Sequence, residues 1–167
     1  MVSEKNQIIS YIEKVNPVVL SINFIPDFFD TNYLFLTNSK RYVQQSNAIT
    51  KASDKIKIIA TSNVTRAAGK FDINLDYETL IDRDAVFIDN SFIMALKVMM
   101  RSGVTDVALA GFDGYSLSNE SDYFSSKMEY EFSKRMGQEI NADVNKTLAS
   151  FKSELNFRFI TSTIYKY

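Results

Sequence analysis

Apolar residues along the chain alternate between short continuous runs and longer stretches in which they recur every three or four positions, a pattern that predicts strands alternating with helices. It is clearest between Asp84 and Tyr115. There Ala85-Val-Phe-Ile88 runs into Asp89-Asn90, Ser91 to Arg101 has helical spacing closed by Gly103, and Val104 to Ala110 runs into Gly111-Phe-Asp-Gly114. This order predicts one βαβ unit, whose two parallel strands leave polar residues at the carboxyl edge, where open α/β sheets bind ligands. Ser91 is expected to cap the helix, with Arg101 in its last turn and Gly103 just beyond. Phe92, Ile93, Ala95, Leu96, Val98, Met99 and Met100 nearly encircle that helix, which predicts burial, the Met pair serving as adaptable core.

Upstream, Ile8, Ile9, Ile12 and Val15 predict an amphipathic helix stopped by Asn16-Pro17, followed by a buried-type strand Val18–Ile22. The exit loop Asn23-Phe-Ile-Pro-Asp27 contains no glycine, so its amides are not expected to cradle a pyrophosphate. Tyr33–Leu36 and Ile56–Ala60 are further strands, ending in Thr37-Asn38-Ser39-Lys40-Arg41 and Thr61-Ser62-Asn63. The first polar group has two readings: a helix cap, or an anion-binding edge where Asn38 and Ser39 donate hydrogen bonds and Lys40 or Arg41 supplies charge. Phe71-Asp-Ile-Asn-Leu75 alternates as an edge strand or an extended loop, and Asp76–Leu80 fits one helical turn. Downstream, Ser118–Ser153 is helix-rich. Its apolar positions, from Tyr123, Phe124 and Met128 through Phe132 to Phe151, mostly step by four, a drift that predicts either a bend or a break at Gly137 or Asn141. Phe157–Ile164 closes the series as a strand.

The pattern therefore predicts an α/β fold: one Rossmann-like domain over residues 1–167, three-layered, with a mostly parallel sheet of about six strands and helices on both faces. Composition agrees with a single core, since 46% of the 167 residues are hydrophobic. It also narrows the chemistry. With 19 Lys and Arg against 20 Asp and Glu, overall charge gives no reason to expect nucleic acid or an anionic membrane as partner. No apolar run approaches the ~20 residues of a membrane span, and the first residues lack the apolar core of a signal peptide, so a cytoplasmic protein is expected. The absence of both Cys and His removes thiolate nucleophiles, Ser-His pairs and the usual transition-metal ligands. No metal or cofactor is expected, and chemistry would rest on carboxylates, Tyr, Lys, Ser or main-chain groups.

Two resemblances add to this. The order Ile88-Asp-Asn-Ser91, a buried helix, and Ser102-Gly-Val-Thr-Asp-Val-Ala-Leu-Ala-Gly111-Phe-Asp-Gly-Tyr115 is similar to the pattern of bacterial lipo-oligosaccharide sialyltransferases and related Rossmann-like domains. That resemblance implies a cytidine nucleotide held at Asn38, Asn63, Ser91 and Asp113, with Tyr115 as a further contact; Asn90, at the same strand exit as Ser91, is a further candidate ligand-binding residue. The chain departs from that family in lacking its glycine phosphate loop and its catalytic histidine, so transfer by that mechanism is not expected.

The combination Ser21-Ile-Asn-Phe24, Tyr33-Leu-Phe-Leu-Thr-Asn-Ser-Lys-Arg41 and Ala110-Gly-Phe-Asp-Gly-Tyr115 resembles the C-terminal region of 4-hydroxy-2-oxovalerate aldolase-like proteins of surface-polysaccharide clusters. It implies an accessory domain whose lyase chemistry would belong to a separate metal-dependent barrel. Two functions follow as expectations. One is a non-catalytic or weakly catalytic domain that binds a nucleotide or sugar nucleotide, or docks a partner: an aldolase-like barrel, or a second copy through the 118–153 helical region. The other is a sugar-nucleotide-dependent transferase with Asp113 as base and Lys40 or Arg41 against phosphate, a role that a buried carboxylate could fill. Asp113 precedes a glycine, so an ordinary turn residue is the simpler alternative.

Overall fold

A computed structural model describes residues 2–52, 54–65, 69–115 and 131–166. The described residues form an α/β protein with six strands, in one four-stranded and one two-stranded sheet, all parallel. Their contacts group into two compact units. One comprises residues 16–83 and 89–98, the other residues 1–15, 84–88 and 99–167.

In the first unit the strands are β1 (Leu20–Ile22), β2 (Tyr33–Leu36), β3 (Lys57–Thr61) and β4 (Ile73–Leu75), lying side by side in sequence order. Helix α2 (Ser39–Ala52) links β2 to β3, and the short α3 (Ser62–Thr65) links β3 to β4. Strand alternation sorts the apolar residues to two faces. Leu34, Leu36, Ile58 and Ala60 pack with Ile49 of α2 and Val64 of α3. Phe35 and Ile59 face the other way and pack with Leu80, Ile81 and with Met94 and Ala95 of helix α4 (Ser91–Arg101). Helices thus cover both faces of this sheet, which is why its central strands read as unbroken apolar runs. The α4 core face is buried from Phe92 to Leu96, whereas Met99 and Met100 are only half-buried. Lys97 of α4 donates from Nζ to the carbonyls of Leu80 and Ile81, both at 3.0 Å.

Several boundaries differ from expectation. The first strand begins at Leu20; Val18 lies outside it and is 75% exposed. The alternating segment does form an edge strand, β4, and Asp76 starts a 3₁₀ turn, Tyr77–Thr79, accepting from the Glu78 amide at 3.1 Å.

The second unit contains α1 (Val2–Val15), β5 (Asp106–Leu109), α5 (Glu131–Phe151) and β6 (Asn156–Phe159). β5 and β6 pair in parallel, Asp106 opposite Asn156 through Leu109 opposite Phe159. The predicted closing strand is therefore shorter than its apolar run, and residues 160–164 are irregular.

The predicted strand at Ala85–Ile88 does not form: residues 83–89 are turns and bends. The Asp143 carboxylate of α5 accepts from the amides of Val86 (2.8 Å) and Phe87 (3.2 Å), taking the groups that a ladder would need. Val86 and Ile88 are left 59% and 42% exposed. Only the helix and second strand of the anticipated βαβ unit are present. Gly103, at φ 76°, ends α4 as expected, its amide donating to the Met100 carbonyl at 3.0 Å. In α5 the backbone leaves helical geometry at Met136 (φ −121°, ψ 20°), next to the expected break at Gly137, while Asn141 stays helical. The helix anticipated over 118–130 lies outside the described residues.

Candidate functional site

β1 and β2 are each followed directly by a polar residue, Asn23 and Thr37, and β3 ends in one, Thr61; these strand ends are bonded to one another around Thr37. After β1 the backbone turns through Asn23 at φ 58°, a left-handed conformation that Asn tolerates better than most residues. Asparagine thus adopts a left-handed conformation of the kind that glycine supplies in glycine-rich loops, and its side chain is left to make hydrogen bonds. Its Oδ1 accepts from the Thr37 amide at 3.3 Å, and its Nδ2 donates to Ser91 Oγ at 2.8 Å. Ser91 Oγ and Thr37 Oγ1 are 2.5 Å apart. The Thr37 carbonyl accepts from Asn63 Nδ2 at 2.9 Å, and Thr61 Oγ1 donates to Asn63 Oδ1 at 2.5 Å. All three polar groups of the buried Thr37 are engaged, and the N-terminus of α4 is pinned to the carboxyl edge through Ser91.

Six of the predicted residues meet at this edge, in different roles. Asn38 caps α2, its Oδ1 accepting from the amides of Lys40 (2.9 Å) and Arg41 (3.4 Å). Asn90, rather than Ser91, caps α4, accepting from Phe92 (3.0 Å) and Ile93 (3.4 Å). Ser91 is released from capping and becomes a member of the Thr37 cluster. Asn63 bridges β2 and β3. Lys40 is exposed, whereas Arg41 is buried, with Nη1 donating to Gln44 Oε1 at 3.0 Å.

The last two predicted residues, Asp113 and Tyr115, belong to the other unit. Asp113 follows β5 and is exposed; Thr161 Oγ1, which accepts from the Gly111 amide at 2.9 Å, lies 3.4 Å from Asp113 Oδ1. Its carbonyl accepts from the Ile164 amide at 3.0 Å. Asp113 therefore lacks the burial on which a role as base would rest. Tyr115 is held through its backbone by Asn141 of α5, at 3.0 and 2.8 Å.

Three members of the cluster, Asn23, Thr37 and Thr61, were not among the predicted site residues, yet each carries the same signal in sequence: a polar residue directly after, or at the end of, an apolar run. A fourth polar group follows β4. The Tyr77 hydroxyl donates to Asp89 Oδ2 at 3.2 Å, and its amide donates to Ser62 Oγ at 3.1 Å. Partial burial, and then the neighbouring Asp89 charge, push the Tyr77 phenol above its ordinary value of 10.0, so it is a neutral hydrogen-bonding group at physiological pH. Among the described residues no three His, Cys, Asp or Glu side chains gather as a metal would require, and no helix is long and apolar enough to cross a membrane. No protein-family model, curated protein or solved structure matches this chain.

Proposed function

We propose that this chain is a Rossmann-like, cytoplasmic accessory domain of an aldolase-like protein, and that it binds a small anionic ligand of the nucleotide or sugar-nucleotide class at the carboxyl edge of its four-stranded sheet. The observation that carries the proposal is the Thr37 cluster. Adjacent parallel strand ends and the N-terminus of a core helix are locked together there by side chains from Asn23, Ser91 and Asn63. Rigid polar strand ends at this edge are where α/β sheets recognise ligands. Exposed Ser39, Lys40 and Asn63 border the locked floor. Lys40 supplies the charge for a phosphate, and the hydroxyl and amide groups supply orientation.

Binding is favoured over catalysis because Lys40 offers charge for an anion while the side chains of the Thr37 cluster are neutral and committed to one another. The chain has neither His nor Cys, and the Tyr77 phenol is displaced away from neutrality. The partner half of the proposal is an aldolase-like barrel docked on the region 118–153. Isothermal titration with cytidine and uridine nucleotides and their sugar conjugates tests the ligand half. Saturable binding that weakens in Lys40→Glu and with rising salt is expected; absence of heat for every compound at millimolar concentration rejects it.

A further inference from the structure

The outer edge of the four-stranded sheet carries an observation that ligand binding does not use. β4 is the last strand of the sheet, and among the described residues it pairs only with β3. Edge strands are ordinarily protected by shortness, by charged residues, by a proline or bulge, or by a covering element. β4 is only three residues long, yet its first residue, Ile73, is 42% exposed, and Phe71, two residues before it, is 41% exposed. Leu75, the last residue of the strand, packs into the cluster of Phe35, Ile59, Leu80 and Met94. The apolar layer between sheet and α4 thus continues outward to the edge and stops at uncovered side chains.

The backbone at the edge is also oriented for pairing. The Asp72 amide donates to the Ile58 carbonyl at 2.8 Å. Backbone direction alternates along a strand, so Asp72 and Asn74 address β3 while Ile73 and Leu75 present their amides and carbonyls outward.

We infer that β4 is the contact through which two copies of this chain associate, pairing antiparallel about Ile73 to join their four-stranded sheets into one. The sequence around the strand, Lys70-Phe-Asp-Ile-Asn-Leu-Asp76, is self-complementary in this register. Ile73 lies opposite the partner's Ile73, Phe71 opposite the partner's Leu75, and Lys70 opposite the partner's Asp76. Every outward-directed residue then forms a hydrogen-bonded pair, the aromatic and aliphatic side chains meet on one face, and the two-fold axis repeats the opposite-charge pair at both ends. The occupant is a second copy rather than a foreign strand because both apolar matches and both charge matches come from this one segment. Asp72 does not oppose the pairing, since its carboxylate is engaged within its own chain by the Ile58 amide at 2.8 Å and Lys57 Nζ at 3.1 Å.

Sedimentation velocity on the full chain, over a range of concentrations, tests this. A concentration-dependent species of twice the 19.1 kDa chain mass is expected. Ile73→Lys, at an exposed position, should be monomeric with an unchanged far-ultraviolet circular dichroism spectrum. Lys70→Glu should raise the dissociation constant about tenfold through two like-charge contacts, and adding Asp76→Lys should restore it. A chain that stays monomeric at the highest concentration overturns the inference. So does a dimer that persists in Ile73→Lys, which would place the contact elsewhere, or a reversed charge pair that fails to recover.

Discussion

Replacing Asn23 separates the two jobs that this residue performs. Its backbone occupies the left-handed region at φ 58°, and its side chain holds the Thr37 amide at 3.3 Å and Ser91 Oγ at 2.8 Å. Asn23→Gly keeps the backbone conformation and deletes the side chain. Two hydrogen bonds worth about 1 kcal/mol each are lost, and the amide of the buried Thr37 loses its partner, so destabilisation of about 2 kcal/mol is expected. Asn23→Ala deletes the same bonds and adds the steric penalty of a Cβ in the left-handed region. After allowing for the larger unfolded-state entropy of glycine, alanine should be the worse of the two by roughly 0.5–1 kcal/mol. Urea denaturation followed by circular dichroism measures both. With a slope of ~2 kcal/mol per molar, the glycine variant should unfold about 1 M earlier, and the alanine variant earlier still. Two midpoints unchanged from the parent would refute the cluster as a structural lock, and a glycine variant weaker than alanine would refute the backbone argument.

Other consequences follow from single contacts. Leu34→Ala, at a fully buried position between β2 and α2, should cost about 3 kcal/mol in the same denaturation experiment. Asp143→Ala removes the carboxylate that holds the Val86 and Phe87 amides; hydrogen exchange at these two amides should accelerate, with a loss of about 1–2 kcal/mol. The Ile58 amide, and then Lys57, hold the Asp72 carboxyl below its ordinary value of 3.8. A depressed folded-state value means that its stabilisation is complete above the unfolded value and is lost as pH falls through the lower folded one. The stability difference between the parent and Asp72→Asn should therefore be constant near neutrality and shrink below the ordinary value of 3.8, as read from urea midpoints at stepped pH. Gly114→Ala puts a Cβ at φ 88° and against the Ile164 side chain, and should lower the thermal midpoint by several degrees.

Which parts of this molecule could be read from its sequence depends on how far away the deciding residue lies. Tyr33–Leu36 and Ser91–Arg101 were legible because local pattern and burial agree there: both β2 faces are covered, and Gly103 stops α4. The Ala85–Ile88 run carries the same local signal as a strand, but Asp143, far along the chain, captures its amides. The cap of α4 was displaced by one residue because Asn90 and Ser91 are both good caps. Only the three-dimensional position of Thr37 shows that Ser91 is needed elsewhere. Strand pairing was similarly out of reach, since short apolar runs do not record which neighbour they meet, and the division into a four-stranded and a two-stranded sheet follows from that choice. The candidate edge was half legible. Asn38, Asn63, Asn90 and Ser91 were recognisable as polar strand exits and caps. Asn23 carries a weaker signal, because its loop lacks the glycines that ordinarily mark a ligand-binding turn.

The measurement that bears most directly on the proposed function is amide chemical-shift mapping of the isotope-labelled chain during titration with a cytidine nucleotide and a cytidine sugar nucleotide. Saturable shifts are predicted at Asn38, Ser39, Lys40, Asn63 and Ser91, and these should be lost in a Thr37→Val variant that remains folded. Shifts confined to residues far from the ends of β1, β2 and β3, or no shifts at millimolar ligand, would contradict binding at this edge.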